Sequence, residues 1–259
     1  MKHVFYFAIV CLFVTSCTAD FNMGKADSNP AGGKGGSMAR FAISGDVLYT
    51  VSTDSLKVFD IENAAKPRHS DLRDLRVGFE IETVFPMDTL LFIGSRRGMY
   101  VYDISEPKFP VQLAEVFHIR SCDPVVAQGN YAYVTLNTNA SNCGASINNV
   151  LDIYDISNPL KPALKRTLQM NGPTGLGIDG TKLFVCDRGL KVFDVSEPLN
   201  IKQIDDLVDI DEVNIREGYD VIPVDGLLIM VAKEGLFQFD YTGAKLKFVS
   251  KLEIKAITE

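Results

Sequence analysis

Arg40, Glu82, Asp123, Thr174 and Asp220 are the residues whose types and spacing suit chemistry. When the chain is aligned on the repeat described below, they share one register, each at the start of the first strand of its unit. Three carboxylates, a guanidinium and a hydroxyl in one ring suit a cation, an amine or a sugar, and carboxylates brought close together acquire the shifted pKa values that acid–base catalysis uses. Two of them about 5 to 9.5 Å apart would bracket a glycosidic bond. Against a glycan stands the absence of Trp, the commonest stacking surface for a sugar ring. The competing reading is a solvated mouth in which Arg40 neutralises a neighbouring carboxylate.

Little else in the chain is reactive. His69 and His118 have no nucleophile near them in sequence and read as surface or packing residues. The GGKGG run at Gly32 to Gly36 follows no strand and precedes no helix, so it is linker rather than a phosphate loop. Cysteine and histidine spacings match no metal site, and no cofactor is implied.

The elements that must position the ring come from an internal repeat. VFDIENAAKP, VYDISEPKFP, IYDISNPLKP and VFDVSEPLN recur with a degenerate fifth copy, FQFDYTGAK, and their aspartates are Asp60, Asp103, Asp155, Asp194 and Asp240. The spacings are 43, 52, 39 and 46 residues, the longest containing an insertion at Asn137 to Asn148. Each unit reads as a short apolar run, a Gly/Asp/Asn turn, a second run, a second turn, the Asp-containing run and a last polar-edged run, with no helical periodicity. Apolar residues lie on both faces of these strands (Leu190 and Val192 on one, Phe193 on the other), as in sheets sandwiched around a ring. The fold class is therefore all-β, a five-bladed β-propeller of four-stranded antiparallel blades over about 38–79, 80–121, 122–172, 173–217 and 218–259. Pro86, Pro124 and Pro223 fall in first strands, which are sheet edges where Pro is tolerated. The first unit begins with its first strand and the last ends with its fourth, so ring closure is expected to rest on packing between blades 1 and 5. The repeated aspartates read as turn formers that accept local backbone hydrogen bonds.

This arrangement puts Cys122, opening the first strand of blade 3, on the same face as Cys143 in that blade's insertion, and a Cys122–Cys143 disulfide is expected there. Cys186, ending the second strand of blade 4, is expected to be a buried free thiol.

The N-terminus reads as an address. Lys2 and His3 precede an uncharged apolar run, Val4 to Val14, too short to span about 30 Å of hydrocarbon and fitting a signal peptide over residues 1–16. Val14-Thr15-Ser16-Cys17 resembles the lipobox of bacterial lipoproteins, which makes Cys17 the lipidated residue. The Thr at 18, not Asp, lacks the inner-membrane retention signal of enteric lipoproteins and points to the outer membrane, on its periplasmic or cell-surface face. Residues 17–37 carry little to bury and read as a flexible tether with a reach of about 25 Å. The formal charge of -7 has the wrong sign for neutralising phosphates, which argues against a nucleic-acid partner.

LDIYDISNP at Leu151 to Pro159 and LKVFDVSEP at Leu190 to Pro198 resemble the repeat of the LVIVD-repeat family, bacterial lipoproteins with a propeller fold. The resemblance covers all five units, departs most in the fifth, and implies fold and address but no reaction. The expected function is a non-enzymatic binding or scaffold lipoprotein of the envelope. It would take a protein partner or small ligand through loops such as Arg96-Arg97, the Asn137 to Asn148 insertion, Asp187-Arg188 and Lys233-Glu234. The alternative is a glycan-acting or metal-dependent hydrolase using the carboxylates of the mouth.

Overall fold

The structure is a computed structural model and describes residues 36–69, 74–117, 124–138, 149–210 and 213–253. They form an all-β propeller with five sheets of antiparallel strands laid out in chain order and, among the described residues, one short 3-10 turn at Pro198–Asn200. Blade 1 holds β1 (Phe41–Ser44), β2 (Val47–Val51) and β3 (Ser55–Asp60), with the short β4 (Arg68–His69) and β5 (Leu75–Arg76) both paired to β3. Blade 2 is β6 (Ile81–Met87), β7 (Leu90–Ser95), β8 (Gly98–Asp103) and β9 (Val111–Phe117). Blade 3 is β10 (Val125–Gln128), β11 (Tyr131–Leu136), β12 (Val150–Asp155) and β13 (Ala163–Gln169). Blade 4 is β14 (Pro173–Asp179), β15 (Lys182–Asp187), β16 (Leu190–Asp194) and β17 (Lys202–Leu207). A two-stranded ribbon, β18 (Asp209–Ile210) and β19 (Val213–Asn214), leads to blade 5: β20 (Gly218–Val224), β21 (Leu227–Ala232), β22 (Gly235–Asp240) and β23 (Lys247–Glu253).

The repeated aspartates build the turns that end every third strand. Asp60, Asp103, Asp155, Asp194 and Asp240 each accept, on Oδ1, the backbone N–H two residues on, at 3.0, 2.7, 3.0, 2.9 and 2.8 Å. The intervening residue donates its own N–H to the hairpin between the first two strands of the same blade, as Ile104 does to Thr89 and Val195 to Thr181, both at 2.8 Å. One carboxylate per blade thus ties one turn to another, and the repeat is a folding device.

Alternation does the rest. Counting back from each aspartate, the residues two and four positions earlier face the next blade. They are Leu56 and Val58, Met99 and Val101, Leu151 and Ile153, and Leu190 and Val192, all at most 2% exposed. The residue one position earlier faces the preceding blade, and Tyr102, Tyr154, Phe193 and Phe239 are buried there. Four hydrophobic clusters result, lying between blades 1 and 2, 2 and 3, 3 and 4, and 4 and 5.

Blades 4 and 5 approach most closely at their innermost strands because β14 carries Gly175 and Gly177. A Cβ on Gly175 would stand 2.5 Å from the Asp220 Cα, and one on Gly177 2.9 Å from the Val221 carbonyl oxygen. Pro86 and Pro223 lie in innermost strands, with Pro124 immediately before β10.

Closure differs from the expectation. Among the described residues, none of the hydrophobic clusters joins blade 5 to blade 1. On blade 1, Phe41 and Ile43 of the innermost strand are 62% and 40% exposed, and Leu48 and Phe59 are only half-buried. On blade 5, Ile222, Ile229, Val231 and Leu236 are likewise half-buried. The strand pattern records this directly: β21 alternates buried with half-buried residues, whereas β11 and β15 are buried on both faces after their first residue. The described link across the seam is instead the segment before β1.

Candidate functional site

That segment, residues 36–40, lies over the channel mouth. Gly36 and Ser37 belong to the tether by composition, yet both are buried, Ser37 completely. The Ser37 hydroxyl donates to Asp220 Oδ1 at 2.9 Å and accepts the Leu176 N–H at 2.8 Å, while the Met38 N–H donates to Asp220 Oδ2 at 3.1 Å. Ala39 then accepts the Val84 N–H at 2.9 Å, and Arg40 Nη2 donates to the Ile81 carbonyl at 3.2 Å. Five residues of strap therefore stitch together the innermost strands of blades 2, 4 and 5.

Of the ring expected at the mouth, Arg40, Thr174 and Asp220 take part in joining strap and blades. Arg40 is turned to blade 2 rather than toward a carboxylate of the ring. Glu82 accepts the Arg96 Nε at 2.9 Å, and Arg96 also pairs with Glu80 at 3.4 Å. Thr174 donates to the Gly218 carbonyl at 2.8 Å, which joins blade 4 to blade 5, and its own carbonyl accepts the Thr135 hydroxyl of blade 3 at 2.7 Å. Asp220 holds the strap. Its burial pushes the carboxyl up to about 6, and the donors from Met38, Ser37 and Val221 only partly offset that desolvation. Asp123 lies outside the described residues, as do Cys17, Cys122, Cys143 and His118.

Two further residues have clear settings. Cys186 is a free, fully buried thiol beneath the mouth, and desolvation pushes its pKa up, with the Asp220 charge adding to the effect. It is not poised for nucleophilic attack. His69 stacks edge-on against Phe59 at 4.9 Å and faces Asp74 at 3.2 Å, a surface packing role. Among the described residues, no group of three or more His, Cys, Asp or Glu side chains could hold a metal ion.

Sequence reasoning missed two residues. Ser37 carries no local signal, because it closes a polar run and precedes an ordinary strand. Asp187 reads as part of an exposed loop with Arg188, but only Arg188 is exposed. Asp187 is 1% exposed and accepts the N–H groups of Asn171 and Gly172 at 2.9 and 2.7 Å and the Lys191 ammonium at 2.6 Å. It fixes the loop between blades 3 and 4. Lys191 four residues on is the one available hint, since a buried carboxylate needs such a partner.

The LVIVD repeat profile matches residues 119–140 and 143–169, which span blade 3. No curated protein matches the chain. Among solved structures, a protein of unknown function from Desulfotomaculum acetoxidans is 15% identical with a TM-score of 0.56, over 82% of this chain and 68% of that one. A protein from Lactobacillus plantarum is 13% identical with a TM-score of 0.60, over 81% and 73%. A putative 6-phosphogluconolactonase from Bacteroides fragilis is 13% identical with a TM-score of 0.59, over 83% and 69%. At such identities the likeness is one of fold alone.

Proposed function

We propose that this propeller, which carries LVIVD repeats, is a non-enzymatic binding scaffold held at the bacterial outer membrane by a lipid on Cys17. The observation that carries the reading is the engagement of the mouth: Arg40, Thr174 and Asp220 each spend a polar atom on joining strap and blades, and Glu82 is paired with Arg96 inside blade 2. What the molecule offers instead is surface. Arg97, Arg188 and Lys233 stand exposed on the hairpins of blades 2, 4 and 5 around the mouth, and with Glu217, which is exposed beside Lys233, they make a mixed-charge face suited to a protein partner.

A hydrolase at the mouth would require Glu82 to leave Arg96 and Asp220 to leave Ser37 before either carboxylate met a substrate. The test is photo-cross-linking in intact cells from positions 97 and 188, beside metabolic labelling with a radioactive fatty acid. One discrete adduct at both positions, with lipid incorporation that Cys17→Ala abolishes, is the expected outcome. Failure to recover an adduct, together with a hydrolytic activity lost in the triple variant Glu82→Gln, Asp123→Asn, Asp220→Asn, would reverse the reading in favour of a glycan-acting or metal-dependent hydrolase.

A further inference from the structure

Every blade of this chain is built to be covered on two sides, and among the described residues two blades have a hydrophobic cluster on one side only. The equivalence of positions makes the deficit specific. The pairs two and four residues before the turn aspartate are at most 2% exposed in blades 1 to 4, but in blade 5 the same positions, Leu236 and Gln238, are half-buried. One residue before the aspartate, Tyr102, Tyr154, Phe193 and Phe239 are buried, but Phe59 of blade 1 is half-buried. The open face of blade 5 is largely apolar: Ile222 lies opposite Ile229, Val231 opposite Leu236, and Leu236 opposite Leu252, which is 65% exposed, with one polar pair, Gln238 and Ser250, hydrogen-bonded to each other beside Ile229. The open face of blade 1 runs from Ile43 through Leu48 to Phe59 across adjacent strands, with Phe41 beside it.

We propose that the seam between blade 5 and blade 1 is a docking site for a guest blade, a four-stranded antiparallel sheet with two apolar faces donated by another polypeptide. The reasoning is continuity with the four interfaces already present in the chain. The face that blade 5 leaves open is the face that, in blades 1 to 4, receives the next blade, and the face that blade 1 leaves open is the one that, in blades 2 to 5, receives the preceding blade. An occupant satisfying both must be a sheet open on its two sides. Each of the five described blades has at least one face already covered by its neighbour, so a second copy of them fits the seam less well than a separate blade. The strap from Gly36 to Arg40 holds the two sides in a fixed relation, with Gly36 seated against Ile222 and the Asp220 carboxylate. A blade of six-residue strands measures about 19 by 20 Å, so two covered faces on each side of the guest bury on the order of 1,600 Å² counting both partners, the size of a stable interface.

The guest being a separate polypeptide rests on the scaffold reading, whereas the capacity to accept a blade does not, and the experiment separates them. In the first arm the full chain carries Phe41→Cys, and a further copy of residues 173–217 is appended through a flexible linker; maleimide labelling is followed against the labelling of the unsubstituted chain. The appended unit should slow labelling at position 41 at least tenfold and raise the melting temperature, and the same unit with Val192→Glu and Phe193→Glu should do neither. Labelling as fast with the unit as without it overturns the proposal. In the second arm Phe41→Cys and Ile229→Cys are labelled in intact cells and again after purification, with Val249→Cys on the outer strand as the reference. Slower labelling in cells at 41 and 229, but not at 249, is expected; equal rates overturn the guest. A purified chain whose mass is that of a dimer and whose position 41 is shielded also overturns it, in favour of a second copy. A chain absent from the envelope fraction refutes the scaffold's location and leaves the first arm to decide the seam.

Discussion

Asp220 binds its proton more tightly in the folded chain than in the unfolded one, because its carboxyl is pushed up to about 6 from an ordinary 3.8. Its contribution is therefore fully present below pH 4 and is lost as the pH rises through 6. Asp220→Asn removes the titration while keeping one acceptor for Ser37 or Met38. The stability of the variant relative to wild type should rise between pH 4 and pH 7 by roughly 1 to 3 kcal/mol, set against a constant loss of about 1 kcal/mol for the missing second acceptor. Urea melts of both chains across that range measure it, and parallel pH profiles would mean that the carboxyl is solvated and the strap lies elsewhere. Gly175 supplies a steric counterpart. A Cβ there meets backbone as well as the carboxylate, with the Tyr219 carbonyl oxygen at 2.5 Å, so neither partner can swing aside. Gly175→Ala should cost about 3 kcal/mol by forcing blades 4 and 5 apart, whereas Gly180→Ala, which meets nothing within 4 Å and pays only for its φ of +56°, should cost about 1 kcal/mol.

The blade is the element, and its turn aspartates titrate with the opposite sign to Asp220. Lys108 holds Asp60 below the usual carboxylate range, the Ser105 and Ser196 N–H groups do so for Asp103 and Asp194, and the Ser157 and Thr242 hydroxyls for Asp155 and Asp240. Their stabilisation is present above pH 4 and lost as the pH falls through their lowered values. The melting temperature should consequently pass through a maximum near pH 4 to 5, with its acid limb flattened by replacing turn aspartates with Asn and its upper limb flattened by Asp220→Asn. A melting temperature still climbing at pH 7 in wild type would contradict this assignment. These aspartates were legible from sequence because a carboxylate ending the third strand repeats a local hydrogen-bonding problem five times over, three times with Ser-x-Pro in the turn, and local problems leave local signals. Glu82 and Thr174 were legible only as a register. Their partners, Arg96 and Gly218, come from a hairpin turn 14 residues on and from another blade, and nothing in a single strand announces such contacts.

At the scale of the whole molecule, the number of blades could be read from the repeat, but the number of interfaces could not. Leu236 and Val231 look as apolar as Leu190 and Val185, so the sequence cannot distinguish a face that meets a neighbour from one that does not; only the half-burial of the former pair does. The strap was hidden for a related reason, since its hold depends on Asp220, 183 residues away from Ser37. This asymmetry should govern how the molecule opens. In a stack whose units touch only their neighbours, a unit covered on two sides is held by two interface terms and a terminal unit by one. Blades 2, 3 and 4 should then share the slowest amide exchange, with β8, β12 and β16 at the global limit, while β2 and β3 of blade 1 and β21 and β22 of blade 5 exchange faster through partial opening. Ser37→Ala removes a hydroxyl that serves Asp220 and Leu176 at once, so it should speed exchange in blade 5 and at the Leu176 amide while leaving β8 unchanged. Uniform exchange across all the blades, in wild type and variant alike, would mean that blades 5 and 1 are packed against each other in solution and that the strap is not what holds the ends together.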